Sequence, residues 1–239
     1  MSKFFISFLV AIMAGLLPLA AQPLEVAGIT EPYMDVTLGL ADPGIINVQL
    51  YKEGDYVPKG KVILELDKNL EAIEVERRKA VMDQDQMVYQ STLELSQTTK
   101  SVSHEDLTKA EAQYRVSASE YQTALQQLAD RALKAPFSGV ITEVLLKPGA
   151  AVAPYQPLVR LVDTTRCFFV GHMDGLAVSR LHLGEKVKID VDGGYTVDAQ
   201  ISFISPVVDA ASGLARIKAL FDNPSGTIRP GLAARLVAD

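Results

Sequence analysis

The sequence lacks several residue types that carry common protein chemistry. Its 239 residues include no tryptophan and a single cysteine, Cys167. One cysteine can form neither an internal disulfide nor a thiolate metal cluster, so Cys167 is expected in the core. Acidic residues outnumber basic ones by 29 to 23. The resulting net charge of −6 argues against a nucleic-acid partner, because nucleic-acid binding needs a basic face.

Catalytic signatures are also missing. The sequence contains no P-loop, no dinucleotide-binding fingerprint and no nucleophile elbow. The three histidines, His104, His172 and His182, are far apart and lack the spacing of metal ligands. We therefore expect no enzyme activity, no cofactor and no metal site. A metal bound by His104 with Glu105 and Asp106 is the alternative.

Long hydrophobic runs are absent after the N-terminus. Residues 4–17 form an apolar run that follows Lys3 and precedes Pro18 and the two alanines at 20–21. This layout is typical of a secretory signal peptide, and the run is shorter than the ~20 residues that cross a bilayer. We predict a signal peptide over residues 1–21 and a periplasmic location, with an uncleaved membrane anchor as the alternative.

Proline and glycine are absent from the middle of the chain. No proline occurs between residues 59 and 135, and no glycine between 61 and 138. From Asn69 onward the sequence is rich in good helix formers. Ser103 followed by Asp106 resembles a capping box at the start of a second helix. We predict two helices of roughly 30 residues, each about 45 Å long, joined by a short turn.

Both predicted helices have residues at alternating steps of three and four, the spacing of a coiled-coil seam. In the second helix the predicted seam is Leu107, Ala110, Tyr114, Ser117, Tyr121, Ala124 and Leu128. In the first helix the predicted seam is less regular and comprises Leu70, Ile73, Arg77, Ala80, Gln84 and Met87. The basic run at residues 77–79 is expected on a solvated face.

A weak internal repeat flanks the helical region, over residues 44–67 and 139–163. The matching pairs are Gly44 and Gly139, Ile46 and Ile141, Leu50 and Leu145, Lys52 and Lys147, Gly54 and Gly149, Val57 and Val152, and Leu66 and Leu161. Each copy has the pattern of a strand, a glycine turn and a strand, and is too small to bury its own apolar face. We therefore expect the copies to pack together as one β sandwich, which forces the helices between them into an antiparallel hairpin.

The region after residue 164 has short alternating strands separated by glycine and proline turns, which is typical of a small β-barrel. The predicted fold class is mainly β with an inserted α-helical hairpin. The predicted domains are a signal peptide (1–21), a split lipoyl-like β sandwich (22–67 and 134–163), an α-helical hairpin (68–133) and a C-terminal β-barrel (164–239).

Several local sequences resemble one family. Residues 44–60, with Lys52-Glu53-Gly54, are similar to the first half of its sandwich, and residues 134–141 (Lys-Ala-Pro-Phe-Ser-Gly-Val-Ile) to the second half. Its barrel is similar to this chain at Ile204–Asp209, Phe221–Pro224 and Arg229–Leu232. On these motifs, in this order, the chain resembles the periplasmic adaptor, or membrane fusion protein, family (HlyD-like).

The resemblance implies a non-enzymatic adaptor of a tripartite export system. Such an adaptor links an inner-membrane transporter, here expected to be of the resistance-nodulation-division (RND) type, to an outer-membrane channel, and forms a ring of commonly six subunits. The hairpin tip would contact the channel, and the expected contact residues are Leu95, Ser96, Val102, Ser103 and Leu107.

The sequence departs from the family pattern in two ways. Thr92 stands near the place where many members have an arginine before the tip. The chain also ends with the barrel, so the membrane-proximal domain of longer members is expected to be absent or minimal.

Three other functions stay open at the level of sequence. The transporter could be of the ATP-driven (ABC) type, or the chain could be a stand-alone periplasmic binding module. A carrier domain with lipoate or biotin on Lys68, in the run Glu65-Leu66-Asp67-Lys68, is the third. A helix is predicted directly after Lys68, where a carrier domain needs a second strand, so a solvated lysine at the helix start is favoured.

Overall fold

The computed structural model describes residues 24–98 and 103–238, and the predicted signal peptide lies outside them. The strands are β1 (Leu24–Leu38), β2 (Gly44–Gln49), β3 (Tyr56–Val57), β4 (Val62–Leu66), β5 (Ala132–Lys134), β6 (Gly139–Val144), β7 (Ala151–Val152), β8 (Val159–Asp174), β9 (Lys186–Val191), β10 (Tyr195–Ile204), β11 (Leu214–Asp222) and β12 (Ala233–Ala238). The helices are α1 (Asn69–Thr98), α2 (His104–Asp130) and a 3-10 turn (Ala177–Arg180).

The described chain divides into two compact units. One contains residues 32–166 and 223–226 and comprises the sandwich with its helical hairpin. The other contains residues 24–31, 167–222 and 227–238 and comprises the barrel. The predicted fold class, mainly β with an inserted hairpin, is confirmed.

Strands of the two halves of the sandwich pair with each other, in addition to the pairing of β2 with β4 and of β6 with β8 within each half. Gly44 of β2 lies opposite Val152 of β7, and Val57 of β3 lies opposite Gly139 of β6. These two pairs occupy equivalent positions of the sequence repeat, so the halves are related by an approximate two-fold exchange of strands. Each half therefore completes the sheet of the other, as expected for units too small to fold alone.

The exchange extends to the turns that contain the repeated glycines. Gly54 and Gly149 have φ angles of +89° and +90°, the left-handed region that glycine adopts without steric cost. The N–H of Gly54 donates to the carbonyl of Ile141, and the N–H of Gly149 donates to that of Ile46, each over 2.8 Å. The predicted glycine turns are confirmed, and they fasten the two halves together.

Alternate residues of the repeated strands fill the sandwich core. The fully buried members include Ile46, Ile63, Leu66, Ile141 and Leu161. Burial of such side chains contributes roughly 1.5–3 kcal/mol each, and both halves are needed to supply it.

The barrel has its own core and closes on itself. Its strands follow the order β1-β12-β9-β10-β11-β8, and pairing of β1 with β8 completes the ring. Phe169, Ile189, Ile217 and Leu236 are among the side chains that fill it. Cys167 is also fully buried in this core, which confirms its prediction as a core residue.

At four places the structure divides the chain differently from the predicted domain boundaries. Residues 24–31 were assigned to the sandwich, but in the structure they pair with β12 and belong to the barrel. The boundary at residue 164 falls inside the continuous strand β8, which passes from one unit into the other. Residues 132–133, assigned to the hairpin, belong to β5 and pair with β4. The turn at residues 223–226, assigned to the barrel, belongs to the sandwich unit because Asn223 hydrogen-bonds to Thr164 and Thr165.

Barrel closure predicts a strong effect of one substitution. A Cβ atom at Gly28 would lie 2.3 Å from the carbonyl oxygen of Val170 and 2.7 Å from the ring of Phe169. Gly28→Ala should therefore lower the free energy of unfolding by about 1–3 kcal/mol, because β1 cannot approach β8 without displacing the core. Urea unfolding measures the change. The exposed neighbour Ala27 offers the control Ala27→Ser, which should unfold like the wild type; equal midpoints for all three proteins would contradict this close packing.

Candidate partner-binding hairpin

The hairpin seam on α2 lies where the sequence predicts it. Ser117 and Ala124 are buried, and the other five predicted seam residues of α2 are half-buried. The rings of Tyr114 on α2 and Tyr89 on α1 stack with their centroids 6.0 Å apart. The predicted α2 seam is therefore confirmed, and its tyrosines are part of the packing between the helices.

The predicted seam on α1 is wrong. Leu70 and Ile73 are 79% and 66% exposed, and Met87 is 61% exposed. The buried or half-buried residues of α1 are instead Glu71, Glu74, Val75, Arg78, Met82, Asp85, Gln86, Tyr89, Thr92, Leu93 and Ser96. The cause is that apolar residues occur on both sides of this helix, and the more apolar side does not face α2.

Polar contacts across the seam explain why it contains charged residues. Arg78, predicted on a solvated face, forms an ion pair with Glu120 of α2. Gln113 of α2 donates to Asp85 of α1 over 3.3 Å. Polar pairs inside a helical seam favour one register over others. These contacts set which turns of the two helices lie opposite each other.

One carboxylate on α1 organises the basic run. Glu74 accepts hydrogen bonds from Arg77 and from Arg78, and these bonds, that from Arg77 first, lower the pKa of Glu74 to about 2. Glu74 therefore stays ionised throughout the neutral and mildly acidic range. It holds Arg78 in position to reach Glu120 across the seam.

The base of the hairpin is fastened to the sandwich by Arg131. The Nη1 atom of Arg131 donates to the carbonyl of Pro43 over 2.7 Å, and its Nη2 atom lies 2.5 Å from a carboxylate oxygen of Glu71 at the start of α1. The carbonyl of Arg131 accepts from the N–H of Leu66 over 2.8 Å. The chain thus enters and leaves the hairpin at one point, as expected.

The predicted tip residues have different environments. Ser103 caps α2: its hydroxyl accepts from the N–H of Asp106 over 3.1 Å, which confirms the predicted cap. Leu107 and Ser96 are half-buried, whereas Leu95 is 48% exposed. Val102 lies outside the described residues. Contact of these residues with a channel stays a prediction.

The outer faces of the two helices differ in their exposed apolar residues. On α1 the outer face exposes several large apolar residues, and on α2 it exposes smaller residues among charged and amide side chains such as Lys109 and Gln127. The exposed members on α1 include Leu70, Ile73, Val81, Met87 and Val88, and those on α2 include Ala112, Val116, Ser119 and Thr123. Three of these five α1 residues, Leu70, Ile73 and Met87, were assigned to the inner seam from the sequence alone, and the α2 set was not identified from it.

The remaining candidate sites are structural. Lys68 precedes α1 and its ammonium group lies 2.6 Å from Glu65, as expected for a residue at the helix start. His104 contacts Thr108, and Asp106 serves the cap of α2. Within residues 24–98 and 103–238, no three His, Cys, Asp or Glu side chains are grouped to hold a metal ion. None of the helices described is long and apolar enough to cross a membrane.

Curated proteins of similar sequence cover different parts of this chain. It is 26% identical to an uncharacterized protein of Haemophilus influenzae over 89% of this chain and 56% of that protein. It is also 26% identical to the cation efflux system protein CzcB of an Alcaligenes species over 65% of this chain and 28% of that protein. The chain thus spans about half the length of the first of these relatives, and less of the second. No family model matches the chain.

Solved structures decide the fold. A MacA–MexA chimeric protein that contains the α-hairpin domain of Pseudomonas aeruginosa MexA matches with a TM-score of 0.78 and 18% identity, over 90% of this chain and 80% of that one. The membrane fusion protein Spr0693 of Streptococcus pneumoniae matches with a TM-score of 0.71 and 14% identity, over 90% of this chain and 99% of that one. This is the fold of the membrane fusion proteins. The resemblance inferred from the sequence motifs is confirmed.

The corrected seam of this membrane fusion fold can be tested with two neighbouring β-branched residues. Val75 is 7% exposed and faces α2, whereas Ile73 is 66% exposed. Val75→Ala should lower the free energy of unfolding of the hairpin by about 1–2 kcal/mol, because buried methyl groups are lost. Ile73→Ala should have little effect or stabilise slightly, since alanine is the better helix former. Thermal unfolding followed by circular dichroism at 222 nm compares the stabilities of the two variants. If Ile73→Ala lost more stability than Val75→Ala, the seam predicted from the sequence would be supported and the corrected seam contradicted.

The hairpin base can be tested by a double-mutant cycle on Glu71 and Arg131. Both side chains are about four-fifths buried, with 19% and 21% exposure. Glu71→Gln and Arg131→Met should each destabilise the chain, and together they should show a coupling of about 1 kcal/mol or more. The pair Glu25 and Arg235, whose side chains are 50% and 61% exposed, is the control and should couple less. If the two substitutions changed the free energy of unfolding additively, the ion pair between Glu71 and Arg131 would not stabilise the base of the hairpin.

Proposed function

We propose that the chain is a periplasmic adaptor subunit of a tripartite efflux system, linking an inner-membrane transporter of the RND type to an outer-membrane channel. The observation that carries this proposal is the hairpin. Its helices, of 30 and 27 residues, are inserted into a sandwich that closes without them, and they expose apolar residues that their own packing does not use. An exposed apolar face of this kind is typical of a protein-binding surface.

The comparisons support export as the process. One relative is named as a cation efflux system protein, and its similarity extends over 65% of this chain. The matched part is 28% of that relative, so the substrate it exports is not transferred to this chain. The fold of membrane fusion proteins, with the hairpin between two sandwich halves, is consistent with the same role.

The two different outer faces of the hairpin support a proposal of self-association. Large side chains on α1, such as Leu70, Ile73 and Met87, complement the small side chains on α2, such as Ala112 and Ser119. Contact between two different faces is heterologous, and a heterologous contact forms a ring when its rotation closes after a whole number of subunits. We propose that α1 of one subunit packs on α2 of the next, in a ring whose six-fold size is taken from the family resemblance.

The tip is proposed to dock on the channel. Leu95 is 48% exposed, and Ser96 and Leu107 lie at the adjoining ends of α1 and α2. Ser103 contributes by capping α2 and so fixing the start of that helix. Val102 is retained in the proposal from sequence alone. The location that fits these partners is the periplasmic face of the inner membrane.

Affinity purification tests the proposal. The tagged full chain is purified from solubilised membranes of its host, and mass spectrometry identifies the proteins recovered with it. Recovery of an inner-membrane transporter and an outer-membrane channel is expected, and the identity of the transporter separates an RND-type from an ABC-type partner. Recovery of neither, with the chain monomeric, would contradict the adaptor role and favour a stand-alone binding module.

Two leucines of similar exposure provide a matched control. Leu95, at the tip, is 48% exposed, and Leu145, in the sandwich, is 42% exposed. Leu95→Asp should lose the channel and keep the transporter, because a carboxylate resists burial in an apolar interface. Leu145→Asp should keep both partners. If Leu95→Asp recovers the channel as well as the wild type does, docking through the tip is wrong even where the adaptor role holds.

A further inference from the structure

One end of the barrel exposes large apolar side chains on its loops. At this end β8 finishes, β9 begins, β10 finishes and β11 begins. The exposed fractions at the loop tips are Leu176 86%, Leu183 69%, Val207 70% and Val208 43%. Exposed tips of water-facing loops are usually polar, so a group of four aliphatic residues at one end indicates a binding surface.

The loops that present these residues touch one another. The N–H of Gly175 donates to the carbonyl of Gly213 over 3.2 Å, and a Cβ atom at Gly175 would lie 2.8 Å from a methyl carbon of Val208. The turn at Leu183 is joined to the end of β10, because the N–H of Gly184 donates to the carbonyl of Ile201 over 2.8 Å. We call the surface formed by Leu176, Leu183, Val207 and Val208 the barrel-end patch.

The carboxylates of this end are turned toward the loop backbone. Asp174 accepts from the N–H of Leu176 over 2.9 Å, and Glu185 accepts from the N–H of His182 over 2.8 Å. Asp209 accepts from the hydroxyl and the N–H of Ser212, each over 2.8 Å, and these bonds lower the pKa of Asp209. The acidic groups therefore hold the loops in shape, while the aliphatic side chains project.

The chain enters the barrel at this same end. A Cβ atom at Gly171 would lie 3.0 Å from Val26, and one at Gly28 would lie against Val170. Residue numbers increase along β1 in the direction in which they decrease along β8, so the two strands are antiparallel. Leu24 at the start of β1 therefore lies near Asp174 at the end of β8. Pairing of Leu24 with Ala238 places the end of β12 there too.

The sequence before Leu24 indicates what covers the patch. The apolar run at residues 4–17 ends a few residues earlier, which is at most roughly 25 Å of extended chain. Such a run inserts into a bilayer, either before cleavage as a signal peptide or permanently as an anchor. An anchor would hold the barrel end at Leu24 near the membrane, and a signal peptide would bring that end to the membrane before cleavage.

We propose that the barrel-end patch rests in the interfacial layer of a phospholipid bilayer, with Leu176, Leu183 and Val207 inserted among the lipid headgroups and upper acyl chains. Aliphatic side chains that leave water for this layer stabilise peripheral binding in proportion to the apolar area buried. Exposed Arg180 and Lys186 at this end are suited to contact lipid phosphates. The proposal does not depend on which proteins the hairpin binds.

The absence of tryptophan from the chain makes a direct test possible, since a single introduced tryptophan is then the only indole. Leu176→Trp in the full chain is mixed with vesicles of phosphatidylethanolamine and phosphatidylglycerol, with and without brominated acyl chains. Its emission should move to shorter wavelength with vesicles and lose most of its intensity with the brominated lipid. Leu183→Trp should behave in the same way, and both positions tolerate the change because they are exposed.

Tyr155→Trp is the matched control, because Tyr155 is 80% exposed, lies in the sandwich unit and is already aromatic. This control shares any anchoring through residues 4–17, so it separates tethering from contact of the patch with lipid. The proposal is overturned if Leu176→Trp is quenched no more than Tyr155→Trp, or if the chain does not bind the vesicles. It is also overturned if the spectral change requires transporter in the vesicles, because the patch would then bind protein.

Discussion

The exchange of strands between the two halves of the sandwich is the constraint on which the rest of the structure depends. Gly44 pairs with Val152 and Val57 pairs with Gly139, so neither half has a complete sheet without the other. All residues between the halves must therefore leave and return at one place. An antiparallel helical hairpin satisfies this condition, and Arg131 fastens its two ends to the edge of the sandwich. The position of the hairpin is thus a consequence of how the sandwich folds.

The packing of the hairpin and its proposed binding surface lie on different sides of α1. The inner seam combines small residues, stacked tyrosines and charged pairs such as Arg78 with Glu120, which define the register more than they add stability. The larger aliphatic residues of α1 face outward, where they are available to another protein chain. A fold optimised for stability alone would bury them, so their exposure is the physical reason to assign the hairpin to assembly.

Sequence patterns predicted much of this architecture because they reflect backbone constraints. The repeated glycines marked turns that require positive φ, and Ser103 marked the start of α2. The strand β1 was not predicted, because only Val26 and Thr30 of its 15 residues are buried and Pro32 interrupts the pattern. The α1 seam was predicted on the wrong face, because hydrophobic periodicity shows that a stripe exists but not which partner covers it. The candidate tip residues came from family resemblance, since no local geometric signal distinguishes a docking surface before its partner is bound.

Replacement of the hairpin tests the central claim that it is a separable module for partner binding. The N–H of Leu66 donates to the carbonyl of Arg131, so a short glycine–serine turn can replace residues 68–130 without moving the sandwich strands. The account predicts that the shortened chain unfolds cooperatively near the midpoint of the full chain and still recovers a transporter from membranes, but not an outer-membrane channel. A shortened chain that cannot fold, or one that still recovers the channel, would contradict the account.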